Sequence, residues 1–345
     1  MEKIRRAGVP LAEYAGVKPL YGIKTGLNEA FLIDTATRDR LVREDPRSAE
    51  IIKPYLRGQD IKRWVPEWRG LWMIFARRGI DIDAYPAVKR HLEQFREQLE
   101  PKPRDRTGDR WPGRKPGAYK WYEIQDSVDY WEHFERPKIV TQDLATYSWF
   151  CFDSSGSFPV NTCYVWPTAD LYLLGWLCSP LAWWVMHRSL QHAINDTLRM
   201  FREQVETLPI APPTDAAREE TEPAVGRLIE SARSVQEARR ATLDWLRMEF
   251  AVASPGQKLE EFAALDAFIE EVRKRRPRSA GRLGPGALAD LRRGYAEQAG
   301  PVRAMRTEAA ALERRLSELV NAAYGLTPEE EALLWATAPP RMPRF

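Results

Sequence analysis

The chain has 345 residues, of which 44% are hydrophobic and 29% charged, and its net charge is +3. This length allows two or three domains, and the composition is that of an ordinary globular protein. No stretch approaches the roughly 18 apolar residues of a membrane span, and the N-terminal segment MEKIRRAGVP lacks the apolar run of a signal peptide. No membrane association is expected, and the cytoplasm is the expected compartment.

The segment YGIKTGLNEAFLID (21–34) places two glycines around a Lys-Thr pair. Lys24 and Thr25 offer an ammonium and a hydroxyl, and Gly22 and Gly26 allow a close approach of the backbone, as a phosphate site requires. However, the spacing differs from the P-loop pattern G-x-x-x-x-G-K-[ST], and EAFLID has the apolar content of a strand instead of a helix start. A nucleotide-binding P-loop is therefore excluded.

Short runs of aromatic and β-branched residues between Gly, Pro, Asp and Ser predict a sheet in the first part of the chain. Besides EAFLID, the runs lie at 70–76, 138–144, 148–153 and 163–167. Helices are predicted between them: one at 85–99, which begins at a proline, and a buried pair at 171–190 that is interrupted at Pro180. The expected fold class is a mixed α/β body.

Prolines and glycines recur along residues 102–122, which predicts a loop of about twenty residues. A loop of this length in a compact domain usually has a function. Its charges are mostly positive: Lys102, Arg104, Arg106, Arg110, Arg114, Lys115 and Lys120, against Asp105 and Asp109. Aromatic residues are interleaved with them: Trp111, Tyr119, Trp121 and Tyr122. Cations spaced in this way suit the phosphates of a nucleic acid. Solvated surface decoration is the alternative.

The composition changes near 208–223, after which the chain is rich in Ala, Glu, Arg and Leu. Residues 224–250 and 301–326 each carry an apolar stripe at helical spacing, and Gly325 is expected to end the second helix. Two long amphipathic helices predict an antiparallel hairpin whose stripes bury each other. Another helix is predicted at 287–298, after a loop. We therefore expect a mixed α/β domain at 1–212 and a helical region at 213–345.

Motifs for catalysis are missing from the sequence. There is no glycine-rich turn for S-adenosylmethionine, no Asn/Asp-Pro-Pro-aromatic motif, no G-x-S-x-G and no HExxH. The triplets Asp60–Lys62 and Glu100–Lys102 fit the Asp/Glu-x-Lys pattern of nucleases, but such triplets are common by chance. Neither the three cysteines nor the four histidines have the spacing of metal ligands, so the cysteines are expected to be buried small hydrophobes. The pattern indicates a binding protein without its own active site.

Several segments together resemble the C-terminal DNA-specificity region of TaqI-type adenine methyltransferases. The first two of these segments are GIKTGLNEAFLID (22–34) and IIKPYLRGQDIKRW (51–64). Further segments follow in the same order: YPAVKRHLEQFREQL, WYEIQDSVDYWEHFERPKIV, FDSSGSFPVNTCYV, FREQVETLPIAPP, LDWLRMEFAVASPGQKLEEF and RLSELVNAAYGLTPEEEALL. The relatives implied are type IIG restriction-modification enzymes and the PglX-like methyltransferases of phage-defence systems.

The resemblance implies sequence-specific recognition of double-stranded DNA, with some side chains on phosphates and others on base edges. It places Lys24 and Thr25 at the entry of the recognition domain, on the DNA backbone or a domain seam; alternatively, the two glycines merely make a tight turn. The expected DNA contacts further along the chain are Arg57, Lys62, Arg63, Arg104, Arg106, Arg110, Arg114, Lys115, Lys120, Trp121 and Tyr122. Asp60 is expected to hold an arginine, and Asn28, Glu29, Asn161 and Thr162 are expected to be structural.

Such enzymes carry a methyltransferase domain, and often a nuclease, ahead of this region, whereas here Met1 stands where the specificity region begins. S-adenosylmethionine is therefore expected on a methyltransferase domain or subunit, from a split or truncated gene, and no cofactor is expected on this chain. The alternative, from another class, is a helical interaction protein that docks on a partner enzyme through 224–326. Such a protein would bind DNA only weakly and without sequence preference.

Overall fold

The computed structural model describes residues 1–104, 106 and 110–345. Two compact units divide the chain. The first comprises Met1–Arg218 and Val320–Arg344, and the second comprises Glu219–Leu319 with Phe345. The boundary at 212–213 that we drew from composition stays a prediction.

The strands of the described residues are short and all lie in the first unit. They are Val9–Pro10 (β1), Leu20–Tyr21 (β2), Leu32–Asp34 (β3), Ile52–Leu56 (β4), Leu71–Ile74 (β5), Lys138–Gln142 (β6), Leu144–Ala145 (β7), Phe150–Asp153 (β8), Phe158–Pro159 (β9), Cys163–Trp166 (β10), Gln191–His192 (β11), Leu198–Arg199 (β12) and Pro209–Ile210 (β13). Two four-stranded sheets have the orders β2-β10-β6-β8 and β3-β5-β4-β9, and two small sheets have the orders β11-β12-β7 and β1-β13. The β4–β9 pair is parallel, and the other pairs of named strands are antiparallel.

Short helices surround the sheets of the first unit. They are Glu2–Ala7 (α1), Leu11–Ala15 (α2), Asn28–Phe31 (α3), Thr35–Glu44 (α4), Ser48–Ile51 (α5), Pro86–Glu93 (α6), Arg96–Leu99 (α7), Glu132–Glu135 (α8), Leu171–Leu177 (α9), Pro180–Ser189 (α10) and Arg202–Val205 (α11). The buried pair predicted at 171–190 is confirmed as α9 and α10. Ser179 caps α10 by accepting from the Ala182 N–H at 3.1 Å, and Pro180 occupies the first turn, where no N–H is needed.

Two sequence predictions are corrected in this unit. The EAFLID segment is not strand throughout, because its first half forms α3 and only Leu32–Asp34 is a strand. The helical turn buries Ala30 and Phe31 completely. The helix predicted at 85–99 is divided into α6 and α7, because Phe95 has non-helical backbone angles (φ −110°, ψ 15°). The mixed α/β class is nevertheless confirmed.

The core of the first unit contains one buried ion pair. Lys138 Nζ lies 2.6 Å from Asp153 Oδ2, and both side chains are essentially inaccessible to solvent. The ammonium also donates to the Phe134 carbonyl at 2.6 Å, and the carboxylate accepts from Ser155 and Ser157. These hydrogen bonds offset part of the desolvation of the two charges. The segment FDSSGSF is therefore structural. The three cysteines are buried and free, as predicted.

The second part of the chain is helical. Its helices are Asp215–Phe250 (α12), Gln257–Glu260 (α13), Leu265–Arg275 (α14), Pro285–Ala323 (α15) and Pro328–Ala336 (α16). The predicted break before 301–326 is wrong, since α15 runs through Pro301 without interruption. Ala299 and Val302 on either side of this proline are fully buried, so apolar packing compensates for the hydrogen bond that a proline removes.

The antiparallel hairpin predicted for the two long helices is confirmed by three cross-helix contacts. Arg315 forms a bidentate pair with Glu220, the Ser231 hydroxyl donates to the Met305 carbonyl at 3.4 Å, and Gly294 lies against the ring of Trp245. The contacts thus pair increasing residue numbers of α12 with decreasing residue numbers of α15, which defines an antiparallel arrangement. The core inside the hairpin contains Leu246, Phe250, Phe268, Leu291 and Val302.

Gly325 ends α15, as predicted. Its φ is +60°, which favours glycine, and the Leu326 N–H reaches back to the Asn321 carbonyl while the Gly325 N–H reaches the Ala322 carbonyl. These two bonds form a Schellman motif. Tyr324, at the same helix end, accepts from the Ala211 N–H and donates to the Pro209 carbonyl. The C-terminal segment is thereby fixed to the first unit.

No helix in the described part of the chain is both long and apolar enough to span a bilayer. No group of three or more His, Cys, Asp or Glu residues there has the arrangement of a metal site.

Candidate nucleic-acid interface

The GIKTG turn is built on two glycines that the backbone requires. A Cβ on Gly22 would lie 2.0 Å from the Val160 carbonyl oxygen, and a Cβ on Gly26, whose φ is +90°, would lie 2.9 Å from Gln125 Cβ. Ile23 between them pairs with Val160 as an isolated bridge. The glycines therefore allow the turn to pass between two neighbouring segments of the first unit.

The two polar side chains of this turn differ in exposure. Lys24 is exposed, and its backbone N–H donates to Asp126 Oδ2 at 2.9 Å. Thr25 is only 1% exposed, and its hydroxyl donates to Asn28 Oδ1 at 2.7 Å. Lys24 can therefore reach a phosphate, whereas Thr25 as a DNA contact is corrected to a structural residue. Asn28 is exposed and accepts this hydrogen bond, and its expected structural role stays a prediction.

In RGQDIKRW, the predicted partner of an arginine is present. Asp60 is completely buried and accepts from Arg57 Nε at 3.0 Å and from Arg57 Nη2 at 3.1 Å. The same carboxylate accepts from the Arg57 backbone N–H at 2.9 Å. The Arg57 side chain nevertheless keeps 38% of its surface exposed. Asp60 thus fixes the guanidinium in one orientation while leaving one side of it accessible.

The next residues of this motif rest on tryptophan rings. Lys62 Nζ lies 5.3 Å from the centre of the Trp149 ring, and the Arg63 guanidinium lies 4.8 Å from that of Trp64. Arg63 also donates to the Cys178 carbonyl at 2.8 Å. Trp64 has φ +74°, an unfavourable angle for a bulky residue, and is held there by backbone hydrogen bonds to Phe150 and Phe152. Both cations are half-buried, with part of each side chain open to solvent.

Arg114 has a different environment from the other cations of the 102–122 loop. It is 5% exposed, and its guanidinium donates to five backbone carbonyls. The acceptors are Leu99 (2.8 Å), Glu123 (2.7 Å), Trp121 (2.9 Å), Lys120 (3.1 Å) and Thr25 (3.4 Å). Burial lowers the pKa of Arg114 to about 10. All five donors of the side chain are used, so Arg114 as a DNA contact is corrected to the anchor of the loop.

Further backbone contacts close the base of the loop. The Lys102 N–H donates to the Arg114 carbonyl, and the Arg114 N–H donates to the Glu100 carbonyl, both at 3.0 Å. The buried Glu123 carboxylate accepts from the Lys120 N–H at 2.8 Å and from the Gly79 N–H at 2.9 Å. Hydrogen bonds therefore join the two ends of the loop and hold them against the rest of the unit.

Five cations of the loop remain on the surface. The exposed residues are Arg104, Arg106, Arg110, Lys115 and Lys120. Arg106 stacks on Trp111 at 4.6 Å, and Lys120 lies 5.5 Å from the ring of Tyr122. A hydrogen bond to the Tyr122 hydroxyl raises the pKa of Lys120. The predicted acidic neighbours Asp105 and Asp109 lie outside the described residues.

The aromatic candidates of the loop have unequal access. Trp121 is 9% exposed and lies under the guanidinium of Arg96, 4.2 Å from its ring centre. Trp121 therefore belongs to the base of the loop, which corrects its assignment as a DNA contact. Tyr122 packs edge-on against Trp121 and is half-buried.

The structure connects the three predicted segments. Thr25 accepts from the Gln125 N–H and from Arg114, which joins the GIKTG turn to the basic loop. On the other side of the turn, the Val160 N–H donates to the Leu56 carbonyl, one residue before Arg57. Lys24 thus lies on a turn shared by the loop and the RGQD motif.

The sequence analysis missed three arginines near the loop. Arg78 donates to the Gln125 carbonyl at 2.9 Å, Arg77 lies 5.6 Å from the Trp131 ring centre, and Arg96 covers Trp121. The only signal for the first two is the Arg-Arg-Gly turn that follows a strand. For Arg96, the helix prediction at 85–99 gave no indication of a tertiary contact.

The first unit is thus a mixed α/β body that presents exposed cations on a loop anchored through Arg114. Residues 53–210 match the TaqI-like C-terminal specificity domain, which confirms the resemblance found in the sequence. Residues 214–320 match a domain of unknown function, DUF8810.

Two known proteins are similar to the chain. The type II methyltransferase M.PaeR7I of Pseudomonas aeruginosa is 30% identical over 170 residues, which are 48% of this chain and 27% of that protein. The solved structure of the type IIL restriction-modification enzyme MmeI in complex with DNA aligns with 93% of this chain and 34% of its own, at 15% identity and a TM-score of 0.49. In both cases the chain spans about a third or less of the other protein's length.

Proposed function

We propose that this chain recognises a specific sequence in double-stranded DNA as the specificity part of an adenine-N6 DNA methyltransferase, in a restriction-modification or phage-defence system. The observation that carries the proposal is the TaqI-like specificity domain at 53–210, whose basic loop is anchored through Arg114 while five cations stay exposed. A fixed base matters because contacts to base edges require a defined position relative to the groove.

The exposed cations divide into two chemical types. Arg104, Arg106 and Arg110 have planar guanidinium groups that can donate twice to the O6 and N7 atoms of guanine. Lys115 and Lys120 are point charges suited to phosphates. We assign at least one of the three arginines to base reading and the lysines to the backbone, together with Lys24 and Arg57. The loop is proposed to enter the major groove.

The proposal places S-adenosylmethionine and the transfer of its methyl group on a methyltransferase domain or subunit, with the chain itself in the cytoplasm. Sheet topology supports this division. Nucleotide-type cofactors bind at the carboxyl ends of strands in open parallel sheets, and in the described residues β4–β9 is the only parallel pair of named strands.

Binding experiments with single variants test the proposal. Arg104→Ala, Arg106→Ala, Arg110→Ala and Lys115→Ala are each selected against a randomised duplex pool at two salt concentrations. Arg43→Ala, an exposed arginine of the same unit on α4, is the matched control. Loss of a phosphate contact should weaken all sequences alike and flatten the slope of log K against log salt by about 0.9. Loss of a base reader should relax one position at a cost of about 1–3 kcal/mol.

Two outcomes would contradict the proposal. If the wild-type chain selects no sequence from the pool and binds duplex DNA only weakly, the alternative of a helical protein that docks on a partner enzyme is favoured. If all four variants match Arg43→Ala in affinity, slope and preferred sequence, the 102–122 loop is not the recognition element.

A further inference from the structure

The second unit contains a concentration of positive charge that the proposed specificity domain does not include. Six cations occupy ten positions after the middle of α14: Arg273, Lys274, Arg275, Arg276, Arg278 and Arg282. No carboxylate occurs in the eighteen residues 272–289. Five of the six cations are arginines, whose planar forks match the geometry of phosphate oxygens.

These side chains line a cleft. Arg273, Arg276, Arg278 and Arg282 surround a volume of about 580 Å³, together with Pro277, Gly281 and Leu283. The cleft lies where α14 ends and the chain turns back toward α15. Gly281, with φ +67°, permits the turn that brings Arg282 beside Arg278.

Of the four arginines that line the cleft, Arg273 and Arg276 have partners among the described residues, whereas Arg278 and Arg282 do not. Arg276 donates to the Ala280 carbonyl at 2.8 Å, and Arg273 pairs with Glu270 at 2.6 Å. Arg275, which does not line the cleft, pairs with Glu271 and donates to the Ser254 carbonyl. By contrast, within the part of the chain that the structure describes, the exposed side chains of Lys274, Arg278 and Arg282 have no hydrogen-bond or ion-pair partner.

Stabilisation of the helix end explains only part of this cluster. Cations in the last turn of a helix interact favourably with its carbonyl end, which accounts for Arg273, Lys274 and Arg275. Arg278 and Arg282 lie beyond the helix, so this effect does not reach them. Both residues line the cleft and are exposed, so their guanidinium groups can donate to an anion there.

We propose that this cleft, the arginine cleft of residues 273–283, binds the phosphate backbone of the DNA duplex and adds sequence-independent affinity to the specificity domain. The inference rests on the proposed function for its choice of DNA as the ligand. The cleft contributes phosphate contacts only, because its open rim presents charge without a structured loop that could read bases. Arg278 and Arg282 each neutralise one phosphate.

The test uses the full chain and two double variants of equal charge. Arg278→Gln with Arg282→Gln removes the cleft cations, and Arg240→Gln with Arg314→Gln removes two exposed arginines elsewhere in the same unit. Fluorescence anisotropy measures binding to a labelled duplex of the selected sequence and to a shuffled duplex over a range of salt concentrations. The cleft variant should reduce the salt slope by about 1.8 on both duplexes, at 0.9 per phosphate, and leave their affinity ratio unchanged. The control variant should keep the wild-type slope.

The outcomes separate this inference from the proposed function. Sequence selection by the wild type with an unchanged slope in the cleft variant would overturn the arginine cleft as a DNA contact and leave the proposed function standing. A slope change without any sequence selection would support the cleft and refute the proposed function. Calorimetry with inorganic phosphate at constant ionic strength covers the other source of the anion. Phosphate binding that depends on Arg278 and Arg282, with no effect on DNA, would overturn the inference in favour of a small-anion site.

Discussion

Replacing Arg114 by lysine should loosen the basic loop without changing the net charge. The guanidinium donates to five backbone carbonyls, whereas an ammonium has three N–H donors, so at least two hydrogen bonds must be lost. A hydrogen bond to a charged group contributes about 1.5–3 kcal/mol. Because loosened carbonyls of a loop can regain water, we take the lower figure and expect a destabilisation of about 3 kcal/mol.

Two measurements check this value. Urea unfolding of wild type and Arg114→Lys should show the loss in stability, and a brief chymotrypsin digest should cut the variant faster after Tyr119 or Tyr122. Lys115→Ala is the matched control. Lys115 is the exposed neighbour of Arg114, so its replacement should change the free energy of unfolding by about 0.5 kcal/mol or less. An Arg114→Lys chain as stable and as resistant to protease as the control would refute the anchoring role of Arg114.

Four further predictions follow from features of the two units. Leu316→Asp places a charge at a position that is 1% exposed and should cost several kcal/mol, measured as a lower melting temperature than that of Glu318→Asp on the exposed face. Asp153→Asn should cost about 3–5 kcal/mol because it leaves the Lys138 ammonium buried without its counter-ion, and unchanged urea unfolding would contradict this. Burial lowers the pKa of His187 to about 4. The unfolded state therefore binds more protons, and stability should fall by about 1–2 kcal/mol as the pH drops from 6.5 toward 4, a loss that His187→Phe should reduce. Calorimetry should detect no binding of S-adenosylmethionine to the isolated chain, and stoichiometric binding would show that the cofactor division is wrong.

Much of the fold could be predicted because its signals are long. The hairpin of α12 and α15 follows from apolar stripes repeated over many turns, and the α9–α10 pair from a continuous apolar run broken at Pro180. Short elements carried less information, since the apolar content of EAFLID fits a buried helical turn as well as a strand. The helix through Pro301 was missed because the burial of Val302 depends on tertiary packing that a proline rule does not include.

The candidate site was predicted less completely, for a physical reason. Asp60 was recognised as the holder of an arginine because both residues lie within one short motif. Arg114, in contrast, resembles Arg110 and Lys115 in the sequence, and its acceptors are backbone carbonyls. Every residue has such a carbonyl, so no residue type marks the acceptor in the sequence. The buried arginine could therefore be distinguished from the exposed ones only in three dimensions.

The same property of Arg114 has an evolutionary consequence. Because its five acceptors belong to the main chain, substitutions at Thr25, Leu99, Lys120, Trp121 or Glu123 alter the side chains around the anchor but keep the oxygen atoms it binds. The tip of the loop, between Lys102 and Arg114, is therefore free to diverge while its attachment persists. If the loop reads DNA as proposed, exchanging this tip would change the target sequence while the rest of the domain is kept.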